Sequence, residues 1–197
     1  MQDAFDISCR YPWGYNAPLV EMIAKKEGVT PDHIVLVAGS TEGLKITGIT
    51  YAGKGDEVIS GLPTFLSLMT YAETWGATIN WVPLDKDMNY DLKEIEKRVS
   101  PKTKLVFLCN PNNPTGIRLG YLVARPDIAK KLSERVVANT NIMAIEAGKA
   151  ALQENDFYQF SLQKNLEARK MIEATLDELK LTYLPSQANF VFFHANQ

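Results

Sequence analysis

The chain has little cysteine and little histidine, two of each in 197 residues. Cys9 and Cys109 are too few and too far apart for a disulfide framework, and with only His33 and His194 beside them no metal-ligand spacing forms. Charge of one sign is also lacking: 21 Lys and Arg stand against 23 Asp and Glu, a net −2 that is spread rather than blocked. No basic patch alternates with aromatics, so nucleic acid is not an expected partner. The longest apolar runs, such as "HIVLVAG" and "LVFLCN", fall well short of the roughly 20 residues that cross a bilayer. The opening "MQDAFDISCR" carries no signal-peptide pattern, and with no membrane partner the expected location is cytoplasmic. Internal repeats and low-complexity linkers are missing as well. What is left, 46% hydrophobic and 22% charged residues, describes a globular chain able to bury one sizeable core and a small second lobe.

Segments rich in valine, isoleucine and leucine alternate with segments whose apolar residues recur at helical spacing. "PLVEMIAKKEG" reads as a helix ending at Gly28, "DHIVLVAG" as a buried strand, and "STEGLKITGITYAGKG" as a helix opened by Ser40 and Thr41. "DEVISG" follows as a strand, then "PTFLSLMTYAETWG" as a helix begun by Pro63 and closed by Gly76. "TINWVPL" (strand), "YDLKEIEKRV" (helix) and "TKLVFLC" (strand) complete the series. This order, with continuously apolar strands, predicts an α/β fold: a mostly parallel wound sheet with helices on both faces, extending to about residue 150. Beyond it, "DFYQFSLQKNLEARKMIEATLDELKL" carries a stripe of Phe160, Leu162, Leu166, Ile172, Leu176 and Leu179, and "ANFVFFHA" reads as a strand. Together they look like the start of a second, small α+β lobe.

Ligands of open α/β sheets sit beyond the carboxyl ends of strands, where loops enter helices and free N–H groups point outward. Two turns have that position. In "VLVAGSTEG" the amides and hydroxyls of Ser40 and Thr41 can hold a phosphate, or one hydroxyl can simply cap the helix, the usual role of such residues. In "NPNNPTG" two prolines and a closing glycine rigidify a loop that presents Asn110, Asn112 and Asn113. Reversing the chain needs only one or two of these residues.

"LVFLCNPNNPTG" closely resembles the signature of fold-type-I, pyridoxal-phosphate-dependent aminotransferases of classes I and II, especially the histidinol-phosphate aminotransferase-like branch. "RYPW", "VAGSTEGL", "GDEVISGLPTF", "IRLGYLVARPDI" and "PSQANFVFF" agree in order, so the likeness covers most of residues 10 to 194. It implies pyridoxal 5′-phosphate as cofactor, with Ser40 and Thr41 in the loop that receives its phosphate. Phe65 matches an aromatic that stacks on the pyridine ring, usually a tyrosine in the family. Asn113 matches the asparagine that hydrogen-bonds the 3′-oxygen, and Arg118 an arginine that pairs with the phosphate, a task suited to its planar fork. Tyr11 matches a tyrosine that reaches into a neighbouring subunit, which implies a homodimer. Each has a plainer alternative: arginine is usually a solvated charge, phenylalanine is usually core, and Tyr11 beside Pro12 and Trp13 can pack on its own fold. Asn189 in "SQANF" can contact substrate or merely enter a strand.

The resemblance divides the chain into an N-terminal arm (1–17), an incomplete cofactor-binding large domain (18–154) and the start of a small C-terminal domain (155–197). It implies transfer of an amino group between an amino acid and a 2-oxo acid or phosphorylated keto compound. A related decarboxylase, or a non-catalytic binding or structural remnant, are the alternatives. The departure from the family lies at Gly116–Ile117. There the family has further elements that supply an aspartate for the pyridine nitrogen and a lysine, after serine or threonine, for covalent attachment. This chain has no "DEAY"-like aspartate after an apolar strand and no serine-lysine pair. Lys104 follows Thr103 but enters a strand at the wrong end, and Lys45 and Lys149 sit in helical patterns and read as solvated. A parallel sheet needs a crossover between strands, and a dipeptide offers none, so a longer enzyme lacking its central segment here is favoured over a genuine deletion.

Overall fold

A computed structural model describes residues 14–86, 89–109, 119–137 and 139–194. Helix α1 (Asn16–Glu27) ends where expected, at Gly28, whose φ of 69° is the left-handed cap that glycine adopts without strain. A 3-10 turn leads into β1 (Ile34–Val37), then α2 (Ser40–Tyr51), β2 (Glu57–Leu62), α3 (Ser67–Thr74), β3 (Thr78–Pro83), α4 (Leu92–Arg98) and β4 (Thr103–Phe107). After β4 come β5 (Gly120–Val123), α5 (Pro126–Ser133), α6 (Ile142–Gln153) and the long α7 (Asn155–Glu178). The alternation of strand and helix is the expected one, and the class is α/β.

The pairing is different from a single wound sheet. β2 lies between β3 and β4 in a parallel three-stranded sheet, while β1 pairs with β5 antiparallel in a separate two-stranded sheet. β4 and β5 follow one another in sequence yet belong to different sheets. Side-chain alternation then decides which helix covers which face. Val35 and Val37 pack with Ile46 of α2 and with Ala129 and Leu132 of α5, whereas Ile34 packs with Leu19 and Ile23 of α1 and Ile145 of α6. In the parallel sheet Val58 and Phe107 pack with Leu68, Met69 and Ala72 of α3, and Leu44 of α2 joins that cluster. Ile59 and Val82 turn the other way, toward Ile95 of α4. Helix α2 therefore roofs both sheets, through Leu44 on one and Ile46 on the other.

Two element expectations are corrected. Helix α3 begins at Ser67, not Pro63. β2 continues to Leu62, opposite Pro83, and the chain must turn back through residues 63–66 before Leu68, Met69 and Ala72 can face the sheet. "ANFVFFHA" forms no strand: it makes one antiparallel bridge, Tyr183 to Phe193. A strand exists only through a ladder, and the short 181–184 stretch offers a single rung. Along α7 only Leu176 is buried, so the apolar stripe from Phe160 to Leu179 lies largely exposed. No helix among the described residues is long and apolar enough to cross a membrane, and no cluster of potential metal ligands occurs among them.

Candidate functional site

The first strand-exit turn is built from close backbone approach. Gly39 has φ 98° and occupies the cap position of α2, so Ser40 and Thr41 are the first two helical residues. The capping alternative is therefore corrected: the cap position belongs to Gly39, so neither Ser40 nor Thr41 caps this helix. Among the described residues neither the hydroxyls nor the backbone N–H groups of Ser40 and Thr41 have a hydrogen-bond partner. Ser40 is exposed and Thr41 half-buried. The carboxylate of Glu42 instead folds back to accept a bond from Ala38 N at 2.6 Å. Free N–H groups, free hydroxyls and the positive end of a 12-residue helix thus converge on one exposed spot, an arrangement that favours an anion.

Strand β5 starts at this spot. In the antiparallel register Gly120 lies opposite Val37, so the chain enters β5 beside the end of β1. A Cβ on Gly120 would lie 3.0 Å from Ser40 N and 3.0 Å from the carbonyl carbon of Gly39, so glycine is what lets β5 sit against the turn. Arg118 precedes Gly120 by two residues and lies, with Tyr11, Asn113 and the Gly116–Ile117 join, outside the described residues.

Phe65 is half-buried in the turn that leaves β2. β2 and β4 are parallel, so this turn and the start of the asparagine-rich loop at Cys109 share one edge of the sheet. Helix α2 leads from the carboxyl end of β1 toward the amino end of β2, which brings the Ser40 turn to that edge too. Next to Phe65, the Thr64 hydroxyl is buried with no partner among the described residues.

The same edge contains a residue that sequence reasoning missed. The Tyr90 hydroxyl accepts a hydrogen bond from Cys109 N at 2.9 Å and donates one to Cys109 O at 3.1 Å. Its ring crosses Gly61, where a Cβ would meet Tyr90 Cε1 at 2.5 Å. One phenol thus pins the backbone where β4 gives way to the loop. Tyr90→Phe is expected to cost about 1–3 kcal/mol, the range for removing one partner from partly buried polar groups. Amide exchange at Cys109 should accelerate while that of β3 is unchanged; equal rates at Cys109 would show that the phenol does not hold it. In the sequence only the pairing of a strand glycine with a later tyrosine hints at this contact, and nothing there fixes their register.

The lysines do not complete a reactive centre among the described residues. Lys104 Nζ is 4.0 Å from Asp56 at the amino end of β4, away from the site edge. Lys149 is paired with Glu146 at 2.8 Å, and the Lys45 ammonium stands 5.2 Å from the centre of the Tyr71 ring, so neither is simply solvated. Asn189 follows a loop tied down by Arg169, whose guanidinium donates to the carbonyls of Ser186 and Ala188.

With this geometry in place, comparison with solved proteins defines the class first. The fold matches aminotransferase structures. A histidinol-phosphate aminotransferase from Sinorhizobium meliloti, solved with pyridoxal-5′-phosphate, superposes with a TM-score of 0.83 at 19% identity, covering 96% of this chain and 69% of that one. An aspartate aminotransferase from Thermotoga maritima gives 0.73 at 21% identity, covering 84% and 64%. The family profile "Aminotransferase class I and II" matches residues 10–119, and the chain belongs to that family. Among curated relatives, the histidinol-phosphate aminotransferase of Moorella thermoacetica is 27% identical over 257 residues, covering 98% of this chain and 66% of its own length. That of Rhodopseudomonas palustris is 33% identical over 179 residues, 91% of this chain and 45% of its own. The chain thus spans about two thirds or less of these two relatives.

Proposed function

We propose that this chain is the phosphate-cradling part of a pyridoxal-5′-phosphate-dependent aminotransferase of the histidinol-phosphate type. In it Ser40, Thr41 and Arg118 hold the cofactor phosphate, Phe65 covers the ring and Asn113 meets the 3′-oxygen. Residues 18–154 form the cofactor-binding unit and 155–197 the beginning of a small domain. Tyr11 reaches a second copy in a homodimer, and the setting is cytoplasmic.

The observation that carries this reading is the pair of unpartnered residues, Ser40 and Thr41, at the open end of α2 against Gly120. Those groups fit a phosphate: two N–H donors, two hydroxyls and a helix dipole meet a dianion with no desolvated polar group left over. When bound, the cofactor supplies an electron sink for the carbon that carries the amino group. The chain's own residues bind and orient it. The lysine that would anchor it and shuttle the proton is one the resemblance places in the further elements at the Gly116–Ile117 join, and amino-group transfer would depend on it.

Titration of the chain with pyridoxal 5′-phosphate and, separately, with pyridoxal tests the reading through tyrosine and tryptophan fluorescence. The phosphorylated form is expected to bind at least about tenfold more tightly, the gain of one or more charge-assisted bonds. Equal affinity for the two would show that the cradle takes no phosphate.

A further inference from the structure

We propose that Glu42 is a positioning residue of the phosphate cradle: its carboxylate reaches across Gly39 to hold Ala38, and so keeps the Ser40 and Thr41 amides presented to one ligand. This role rests on the reading of that turn as the seat of the cofactor phosphate.

The turn has its weak point at the centre. Gly39 stands at φ 98° and ψ 158°, between Ala38 and the first residue of α2. A residue without Cβ takes this conformation freely and, for the same reason, takes many others, so the backbone alone does not fix the angle at which β1 enters the helix. Two contacts supply the missing restraint. On one side Gly120 of β5 approaches so closely that a Cβ there would lie 3.0 Å from the Gly39 carbonyl carbon and 3.0 Å from Ser40 N. Within the turn itself, Glu42 Oε2 accepts from Ala38 N at 2.6 Å, closing residues 38–42 into a ring around Gly39.

With Gly39 as the cap, Glu42 is the third helical residue, the position from which a carboxylate commonly reaches back to the amide of the cap. Here the reach extends one residue further, to Ala38, so the bond ties the strand exit to the helix and does not merely close the helix on itself. The Gly39 carbonyl accepts from Glu42 N at 3.1 Å and Gly43 N at 3.4 Å. Of the amides in this first turn, those of Ser40 and Thr41 are left without a partner among the described residues.

The 2.6 Å separation is short for an N–H donor, as expected of an ionised acceptor. A negative charge in the first turn draws on the same dipole and the same amides as a phosphate does. Because Oε2 is engaged by Ala38 N, the carboxylate orders the turn without filling it. Reach and charge therefore have opposite consequences for a bound phosphate. Reach keeps the two amides in place; charge works against the ligand.

Two variants of the full 197-residue chain separate them. Glu42→Asp keeps the charge, which suits the first turn of a helix, but is one methylene too short to reach Ala38 N. Glu42→Gln keeps the reach and an acceptor oxygen without the charge. Titrated with pyridoxal 5′-phosphate, Glu42→Asp should lose about tenfold or more in affinity as preorganisation is lost, while Glu42→Gln binds as tightly as the parent or more tightly. Affinity for unphosphorylated pyridoxal should be unchanged in both. In the absence of ligand, exchange of the Ala38 amide should accelerate about tenfold or more in Glu42→Asp and stay near the parent rate in Glu42→Gln. Full affinity in Glu42→Asp, an equal loss in Glu42→Gln, a loss shared by pyridoxal, or an unchanged Ala38 amide would each overturn the positioning role. A parent chain that binds pyridoxal as tightly as its phosphate ester would instead remove the phosphate reading itself, and the role of Glu42 with it.

Discussion

Gly120→Val should lower the melting temperature by about 2–12 °C, because overpacking costs about 1–3 kcal/mol and one such unit moves a chain of this size by about 2–4 °C. The branched side chain has nowhere to go. Its Cβ meets backbone atoms of Gly39 and Ser40 at 3.0 Å, and those atoms belong to the end of a strand and the beginning of a helix, not to a flexible side chain. Relief requires β5 to withdraw from β1 or the Gly39 turn to open. Either movement displaces Ser40 and Thr41, so affinity for pyridoxal 5′-phosphate should fall along with stability. The measurements are thermal unfolding followed by circular dichroism and cofactor titration at a temperature where the variant is folded. A variant as stable as the parent, binding equally well, would mean that β5 does not press on the turn.

Ser40→Glu separates binding from folding. Ser40 is exposed and its hydroxyl has no protein partner among the described residues, so the fold loses nothing when it is replaced. Glutamate is well tolerated in the first turn of a helix, where its charge complements the dipole, and stability should hold or rise slightly. For a phosphate the same substitution places a like charge in the cradle and removes a donor. The expected loss is about 100-fold in affinity for pyridoxal 5′-phosphate, about 2.7 kcal/mol, with affinity for unphosphorylated pyridoxal unchanged. An equal loss for both ligands would point to a general distortion; no loss for either would remove Ser40 from the site.

Much of the fold is legible in local patterns. Gly28 ends α1 because the left-handed cap needs a residue without Cβ, and the strand and helix periods of β1 through β4 are unambiguous. The two exit turns were legible too, since helix starts after buried strands are where free amides gather. What the residue pattern does not carry is non-local. Whether β5 pairs with β1 or β4 depends on what lies between them, and the alternation of Tyr121, Leu122 and Val123 suits either neighbour. Gly39 rather than Ser40 takes the cap because β1 must turn with positive φ before the helix begins. The 188–194 stretch has strand-like residues but no second strand to pair with, so propensity yields to the lack of a ladder. Tyr90 and Gly61 meet only after α4 has folded over β2, which no local rule anticipates.

A cradle at the carboxyl edge of these strands is open to direct reading by amide chemical-shift mapping of the isotopically labelled chain as pyridoxal 5′-phosphate is added. The Ser40 and Thr41 amides should move most, with Phe65 and Gly120 next, and all four should follow a single saturation curve. If the largest shifts instead fall around Lys104 or Lys149, with Ser40 and Thr41 unmoved, the ligand is reacting with scattered amines and the helix end holds no phosphate.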